Sequence, residues 1–193
     1  CRSVLLHFPL VRAITLELRK PDAPIELDFQ SVSVRIRRAW HTTYVALGSN
    51  LGDKEKYLND ALAGLEDTPE IRLRKTSTFI VTEPYGGVEQ DKFLNGVCAL
   101  ETVFTPDELL DRLHELEQAA GRERKVVWGP RTLDLDILLY DDLVMHTPTL
   151  TIPHIDMVNR DFVLRPMAEI APYAVHPLEH KPMLQLLREL EAR

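Results

Sequence analysis

The sequence predicts an α+β fold: a βαββαβ run closing into a ferredoxin-like antiparallel sheet with helices, preceded by a two-strand piece of a second domain. Three observations predict it. Apolar, strand-like segments recur at residues 44–47, 71–81, 93–103 and 133–140. Two capped, amphipathic helical stretches separate the first from the second of these and the third from the fourth. A composition break near Trp40 to Thr43 sets apart two β segments that precede it.

Taking the elements in order, Val11 to Leu18 and Ser31 to Ile36 read as strands, the second with strict polar–apolar alternation, and Pro21 and Pro24 break the chain between them. Two strands alone are marginal, so this piece has to lean on something else. Tyr44 to Leu47 is a short apolar strand ending at the turn Gly48-Ser49-Asn50. A helix is expected from Asp53, its N-cap, to Leu65. Ile71 to Val81 reads as one strand, Glu83 to Lys92 as a turn-rich loop, and Phe93 to Val103 as the next strand. Thr105, Pro106 and Glu108 spell a capping box with proline at the first helical position, opening a helix that Gly121 ends. Leu133 to Tyr140 supplies the fourth strand, and residues 161–171 and 182–191 read as further short helices. The expected domains are therefore 1–40 and 41–193.

The 193 residues are 45% hydrophobic and 27% charged, as in a chain that buries a real core. No apolar run reaches the length of about 18 residues that a membrane span needs, so no membrane role is expected. Cys1 and Cys98 are too few for a disulfide framework, and Cys98, in an apolar run, reads as a buried inert thiol; a cytoplasmic setting fits. Net charge is −7, split as seven basic against four acidic residues over 1–40 (+3) and 16 against 26 over the rest (−10). An acidic body is a poor nucleic-acid binder. Against it stands a basic cluster at 122–131, which suits a small polyanionic ligand.

The chemistry concentrates in Gly129-Pro130-Arg131-Thr132-Leu133-Asp134-Leu135-Asp136-Ile137-Leu138. On a strand, Asp134 and Asp136 share a face, about 6.6 Å apart at a rise of about 3.3 Å per residue. Two such carboxylates suffice for Mg²⁺, which keeps water and phosphate as its other ligands. A D-x-D pair on a half-exposed strand is commonly just solvated, but Ile137-Leu138-Leu139-Tyr140 is apolar on both faces. That predicts a central strand, where an unpaired carboxylate is costly. Arg122, Arg124, Lys125 and Arg131 offer planar forks and charge for phosphate oxygens, and Gly121, Gly129 and Pro130 bracket them as a hinged lid carrying Trp128. His154 lies in a polar segment with Asp156, Asn159 and Arg160 and suits a phosphate or proton contact. Thr82, Tyr85, Phe93, Asn95 and Phe162 form a looser set in which aromatic rings beside an amide could hold a flat heterocycle. No Walker A loop, zinc-type cluster or G-x-S-x-G motif is present.

Residues 43–190 resemble the 6-hydroxymethyl-7,8-dihydropterin pyrophosphokinase family. The matching pieces are Tyr44-Val-Ala-Leu-Gly-Ser-Asn-Leu51, the stretch from Thr82 to Asn95, Gly121-Arg-Glu-Arg124, Trp128-Gly-Pro-Arg-Thr-Leu-Asp-Leu-Asp136 and Ile152-Pro-His154 through Arg160-Asp-Phe162. The resemblance implies transfer of the terminal diphosphate of ATP to the hydroxymethyl group of a reduced pterin, with release of AMP, in folate biosynthesis. It implies that Asp134 and Asp136 hold two Mg²⁺ ions and that Arg122 and Arg131 stabilise the transferring group. Arg124, Trp128, Ile137, Thr151, His154 and Arg160 would contact ATP. Thr82, Glu83, Pro84, Tyr85, Phe93, Asn95, Trp128 and Phe162 would line the pterin pocket. The sequence departs from the family pattern at Val127, where a cation is usual, at Ile155, where an aromatic is common, and at Phe93, where tyrosine is frequent.

Residues 1–38 resemble the C-terminal end of dihydroneopterin aldolase, through Arg19-Lys20-Pro21-Asp22-Ala23-Pro24-Ile25 and the following Val-Ser-Val-Arg-Ile-Arg-Arg strand. That implies a bifunctional folate protein of which the pyrophosphokinase part is a monomer and the full fusion able to oligomerise. Its partners would be small molecules. Two other readings stay open on the residues: a nucleotidyltransferase using the D-x-D pair, and a weakened pterin- and ATP-binding domain of a fused enzyme.

Overall fold

The computed structural model describes residues 1–20, 31–84, 90–121 and 131–193. The chain divides into two compact units, Cys1–Trp40 and His41–Arg193. In the first, a short helix α1 (Arg2–His7) precedes β1 (Ala13–Lys20) and β2 (Val32–Ala39), which pair antiparallel with Leu16 opposite Ile36 and Leu18 opposite Val34. Apolar and charged residues alternate across this ribbon. Glu17 is bound by Arg19 and Arg35 on one face, while Leu16, Leu18, Val34 and Ile36 are exposed on the other.

The second unit carries β3 (His41–Ser49), α2 (Lys54–Glu66), β4 (Ile71–Thr76), β5 (Ile80–Thr82), β6 (Phe93–Thr102), α3 (Pro106–Ala119), β7 (Asp134–Tyr140), the two-residue strands β8 (Met145–His146) and β9 (Thr151–Ile152), a 3-10 turn (Met157–Asn159), α4 (Asp161–Ile170) and α5 (Met183–Glu191). The main sheet runs β4-β6-β3-β7, every neighbour antiparallel, with β5 pairing the start of β6. This is the expected ferredoxin-like order, with α2 joining β3 to β4 across β6 and α3 joining β6 to β7 across β3.

Local chemistry sets the helix starts. The Asp53 side chain accepts the Lys56 amide and caps α2. Thr105 and Glu108 exchange hydrogen bonds as a full capping box for α3. Gly121 follows α3 at φ +73°, a left-handed geometry that glycine adopts without strain.

The expected strand over 71–81 is two strands. At the break, the Ser77 amide bonds the Val97 carbonyl and the Ser77 hydroxyl accepts the Val97 amide, so a side chain does part of the ladder's work. Phe79 then turns into the core over Gly96, where a Cβ would stand 2.7 Å from the ring.

One face of the sheet, through Val45, Leu47, Leu100, Leu135 and Ile137, packs on Leu58 and Leu65 of α2 and Leu109 and Leu113 of α3. Cys98 lies in this core, and burial pushes its thiol up to about 12. The other face, through Val97, Ala99, Leu138 and Leu139, packs on Val163, Leu164 and Met167 of α4 and Met183 and Leu186 of α5.

The expectation that β7 is a central strand is corrected: it ends the β4-β6-β3-β7 order. Its residues are buried because helices cover both faces, and the segment after β9 bonds its outer side through the His154 amide and the Leu138 carbonyl. A β-bulge also sits here. Tyr44 pairs Leu139 and Val45 pairs Ile137, leaving Leu138 as the extra residue. Leu138 and Leu139 therefore both serve the α4–α5 face, and the strand changes from polar to apolar on that face within one step. Among the described residues, no helix is long and apolar enough to cross a membrane.

Candidate active site

Strand register assembles the site. Asp134 lies opposite Gly48, and Gly48 opposite Asn95, giving one row across β7, β3 and β6. Asp136 lies opposite Ala46, and Ala46 opposite Val97, giving the next row on the same face. Glycine and alanine in the middle strand leave the space that larger side chains would fill. A Cβ at Gly48 would stand 2.8 Å from Asn95 Oδ1. The result is a cavity of about 320 Å³ between the sheet and the start of α4.

Ten of the residues singled out from sequence line it: Thr82, Glu83, Phe93, Asn95, Arg131, Asp134, Asp136, His154, Arg160 and Phe162. They form two halves. In one, Asn95 Nδ2 donates to Thr82 Oγ1 at 2.7 Å, fixing the amide in a cavity that Phe93 and Phe162 also line. In the other, Arg131 Nη1 is ion-paired with Asp134 Oδ2. Burial raises the pKa of Asp136, and the charge of Asp134 raises it further. Burial and the neighbouring carboxylate thus both disfavour the charged form of Asp136. Arg160 Nε holds Asp156 Oδ2 at 3.0 Å and its guanidinium lies 5.7 Å from the Phe162 ring centre.

His154 is positioned by its backbone, through the Leu138 carbonyl, and by its ring, whose Nδ1 accepts the Asp156 amide at 3.2 Å. Burial lowers its pKa, although Asp136 pulls the other way. His154 also lines a second cavity of about 360 Å³ with Thr151, His146 and His176. Thr151 therefore belongs to this second cavity, where its hydroxyl meets His146 Nδ1 at 2.8 Å.

Two predicted residues stand elsewhere. Ile137 is 3% exposed in the core beneath α2 and α3, so its side chain faces away from the aspartates. Strand alternation puts it there, one residue on from Asp136. Pro84 is half-buried and does not line the main cavity. Tyr85, Arg122, Arg124 and Trp128, with Lys125, Val127 and the rest of the expected lid, lie outside the described residues.

Sequence reasoning missed three residues. Asn50 is fully buried; its Oδ1 accepts the Arg131 amide at 2.7 Å and its Nδ2 donates to Gln90 Oε1 at 3.0 Å, so one amide ties together two segments that border the cavity. The turn Gly48-Ser49-Asn50 was its signal. Gln90 itself lines the cavity. Glu117 is 2% exposed and accepts the Leu135 amide at 2.8 Å, between the two aspartates. Its signal was a carboxylate continuing the apolar stripe Leu109, Leu113.

Comparison with known proteins places the chain in a family. The family model described as 7,8-dihydro-6-hydroxymethylpterin-pyrophosphokinase (HPPK) matches residues 44–172. The chain is 47% identical over 129 residues to the bifunctional protein FolKE of Lactococcus lactis subsp. lactis, covering 67% of this chain and 37% of that protein. It is 46% identical over 129 residues to the 2-amino-4-hydroxy-6-hydroxymethyldihydropteridine pyrophosphokinase of Pseudomonas aeruginosa, covering 67% and 80%. It is 40% identical over 148 residues to the enzyme of that name from Aquifex aeolicus, covering 77% and 91%. The chain thus spans little more than a third of FolKE, and 20% of the folic acid synthesis protein fol1 of Schizosaccharomyces pombe. Among solved structures, wild-type Plasmodium falciparum HPPK-DHPS with pteroate superposes with a TM-score of 0.63 at 13% identity, covering 81% of this chain and 43% of that one, a likeness of fold.

Proposed function

The chain belongs to the 7,8-dihydro-6-hydroxymethylpterin-pyrophosphokinase family, and from that premise we propose that its 41–193 unit transfers diphosphate from ATP to 6-hydroxymethyl-7,8-dihydropterin, yielding AMP and the pterin diphosphate for folate biosynthesis. One observation carries the reading. A cation-and-carboxylate wall (Arg131, Asp134, Asp136) and an aromatic-and-amide wall (Phe93, Phe162, Asn95, Thr82) face one cavity of about 320 Å³. The first suits a phosphate chain, the second a flat heterocycle with hydrogen-bonding edges.

Asp134 and Asp136 fit Mg²⁺. They supply hard oxygen ligands from one face, and burial of Asp136 leaves a negative charge that a dication would compensate. Among the described residues no group of three or more His, Cys, Asp or Glu gathers into a metal cage, which suits an ion that takes its remaining ligands from water and phosphate. Bound there, as one ion or two, Mg²⁺ would neutralise the transferring phosphates. The chain's own groups do the rest. Arg131, with Arg122 and Arg124, balances phosphate charge. Arg160 and His154 contact the nucleotide's phosphates, and Thr151 the nucleotide beyond them. Ile137 meets it through backbone alone, since its side chain is in the core. Asn95, set by Thr82, reads the pterin edge while Phe93 and Phe162 hold its faces. Glu83 lines that pocket, and the family resemblance assigns Pro84, Tyr85 and Trp128 to the pterin as well.

We also read Cys1–Trp40 as the C-terminal part of a dihydroneopterin aldolase-like domain, joined to the kinase as in a bifunctional cytoplasmic folate enzyme. Two folate relatives that extend well beyond their matched parts support a fused context for the kinase; the aldolase reading rests on the sequence resemblance of residues 1–38.

The test is direct. The full chain incubated with Mg²⁺, ATP and hydroxymethyl-dihydropterin should release AMP, seen by chromatography. Asp134→Ala and Asp136→Ala should each abolish release while circular dichroism shows the fold intact. Wild-type turnover in either variant, or pyrophosphate in place of AMP, would refute the assignment.

A further inference from the structure

We propose that Arg131 is an exchangeable counter-ion: without nucleotide its guanidinium takes the divalent cation's place on Asp134, and a phosphate chain has to draw it away before a metal ion settles there. The inference rests on the pyrophosphokinase reading, which makes Asp134 a metal ligand and turns Arg131 toward phosphate.

The two arginines that line the cavity are held in different ways. Arg160 is bonded to Asp156, the residue just before the 3-10 turn, which is itself tied by Asn159 Nδ2 at 3.0 Å. That pair does not use Asp134, although the Arg160 charge is felt at Asp136. Arg131 instead pairs with Asp134 itself, through Nη1 and Oδ2. Guanidinium and dication therefore compete for one carboxylate, and their like charges cannot share it at close range without cost.

The backbone makes the exchange local. The Arg131 amide donates to Asn50 Oδ1 at 2.7 Å, and the Arg131 carbonyl accepts the Asn50 amide at 3.0 Å. Both ends of the peptide are pinned on a fully buried asparagine. The side chain can swing from Asp134 to a phosphate while the strand that bears the aspartates stays in place. An Arg–phosphate fork replaces the Arg–carboxylate pair, so little is lost in the trade. The free enzyme then holds metal weakly, and metal and nucleotide load with positive coupling, each raising the other's affinity by the same factor.

The experiment titrates Mn²⁺, a paramagnetic substitute for Mg²⁺, into the full nucleotide-free chain and reads free ion by electron paramagnetic resonance. Arg131→Met and Arg131→Gln should bind Mn²⁺ tighter than wild type by about tenfold or more, as expected on removing a unit charge a few ångströms from the ion. With a methylene-bridged ATP analogue present, the same variants should hold the Mn²⁺–nucleotide complex less tightly than wild type, reversing the sign. Two variants of different shape, each checked by thermal melting, guard against misfolding in one. Equal or weaker Mn²⁺ binding by both nucleotide-free variants would overturn the proposal. Asp134→Asn separates the layers. If it leaves Mn²⁺ binding unchanged, the metal assignment fails. If it removes binding while the arginine variants do not tighten it, the exchange alone fails.

Discussion

Gly48→Ala is a small change with a worked consequence. The new methyl would stand 2.8 Å from Asn95 Oδ1, against 3.4 Å for ordinary contact, so the amide must retreat by about 0.6 Å. Backbone strain is not at issue, because Gly48 sits in an extended, doubly paired strand. The atom in the way ends a side chain, and the chief loss is the 2.7 Å hydrogen bond from Asn95 Nδ2 to Thr82 Oγ1. Losing that bond costs about 0.5–1.5 kcal/mol of stability, a modest loss in the melt. Binding should suffer more, because a displaced amide no longer meets the heterocycle edge. One such bond weakened is worth roughly a tenfold rise in KM for the pterin, with KM for ATP nearly unchanged. Steady-state AMP release and calorimetric pterin binding measure both. A double-mutant cycle with Asn95→Ala sharpens the test. Once the amide is gone, the methyl has room, so the two substitutions should be strongly non-additive. Additive effects, or a normal pterin KM in Gly48→Ala, would refute the claim that glycine is there to seat Asn95.

Two more perturbations reach other parts of the structure. Thr105→Ala removes the α3 capping box and should cost about 1 kcal/mol, lowering Tm by roughly 2–4 °C, with kcat and KM unmoved. His176 is 4% exposed, its Nδ1 accepts the amides of Leu178 and Glu179, and burial lowers its pKa. The unfolded chain therefore binds this proton more readily than the folded one. Stability from this group is complete above about pH 6.5 and is lost as pH falls below it. Melting curves from pH 7.5 to 5 should fall in wild type and fall less steeply in His176→Asn; an unchanged slope would remove His176 as the cause.

The fold was legible where one residue type has one job. Asp53 and the Thr105–Glu108 box announce helices because their side chains satisfy amides that a helix start leaves open. Apolar runs broken by turn residues revealed the strands of the βαββαβ core. Sequence could not show that Ser77 would interrupt one of them, since that depends on Val97 across the sheet. Nor could it tell an edge strand buried by helices from a central one, because both read as continuous apolar runs. At the site, Asp134, Asp136 and Arg131 stood out through proximity in the chain. Asn50 and Glu117 did not, because the former meets Arg131 across 81 residues and the latter meets Leu135 from a helix. Ile137 shows the opposite limit: a motif neighbour whose side chain the pleat turns away.

The half-polar character of β7 also guards its own assembly. A one-residue slip against β3 would send Asp134 and Asp136 under α2 and α3, among Leu58, Leu109 and Leu113, and would bring Ile137 out into the cavity. Two carboxylates in hydrocarbon make that misalignment prohibitive, whereas an all-leucine strand would tolerate it. Replacing both acids with apolar residues should thus do more than silence catalysis. It would erase the marker by which this ribbon finds its partner, and proofreading of the β-sheet would be lost along with the enzyme.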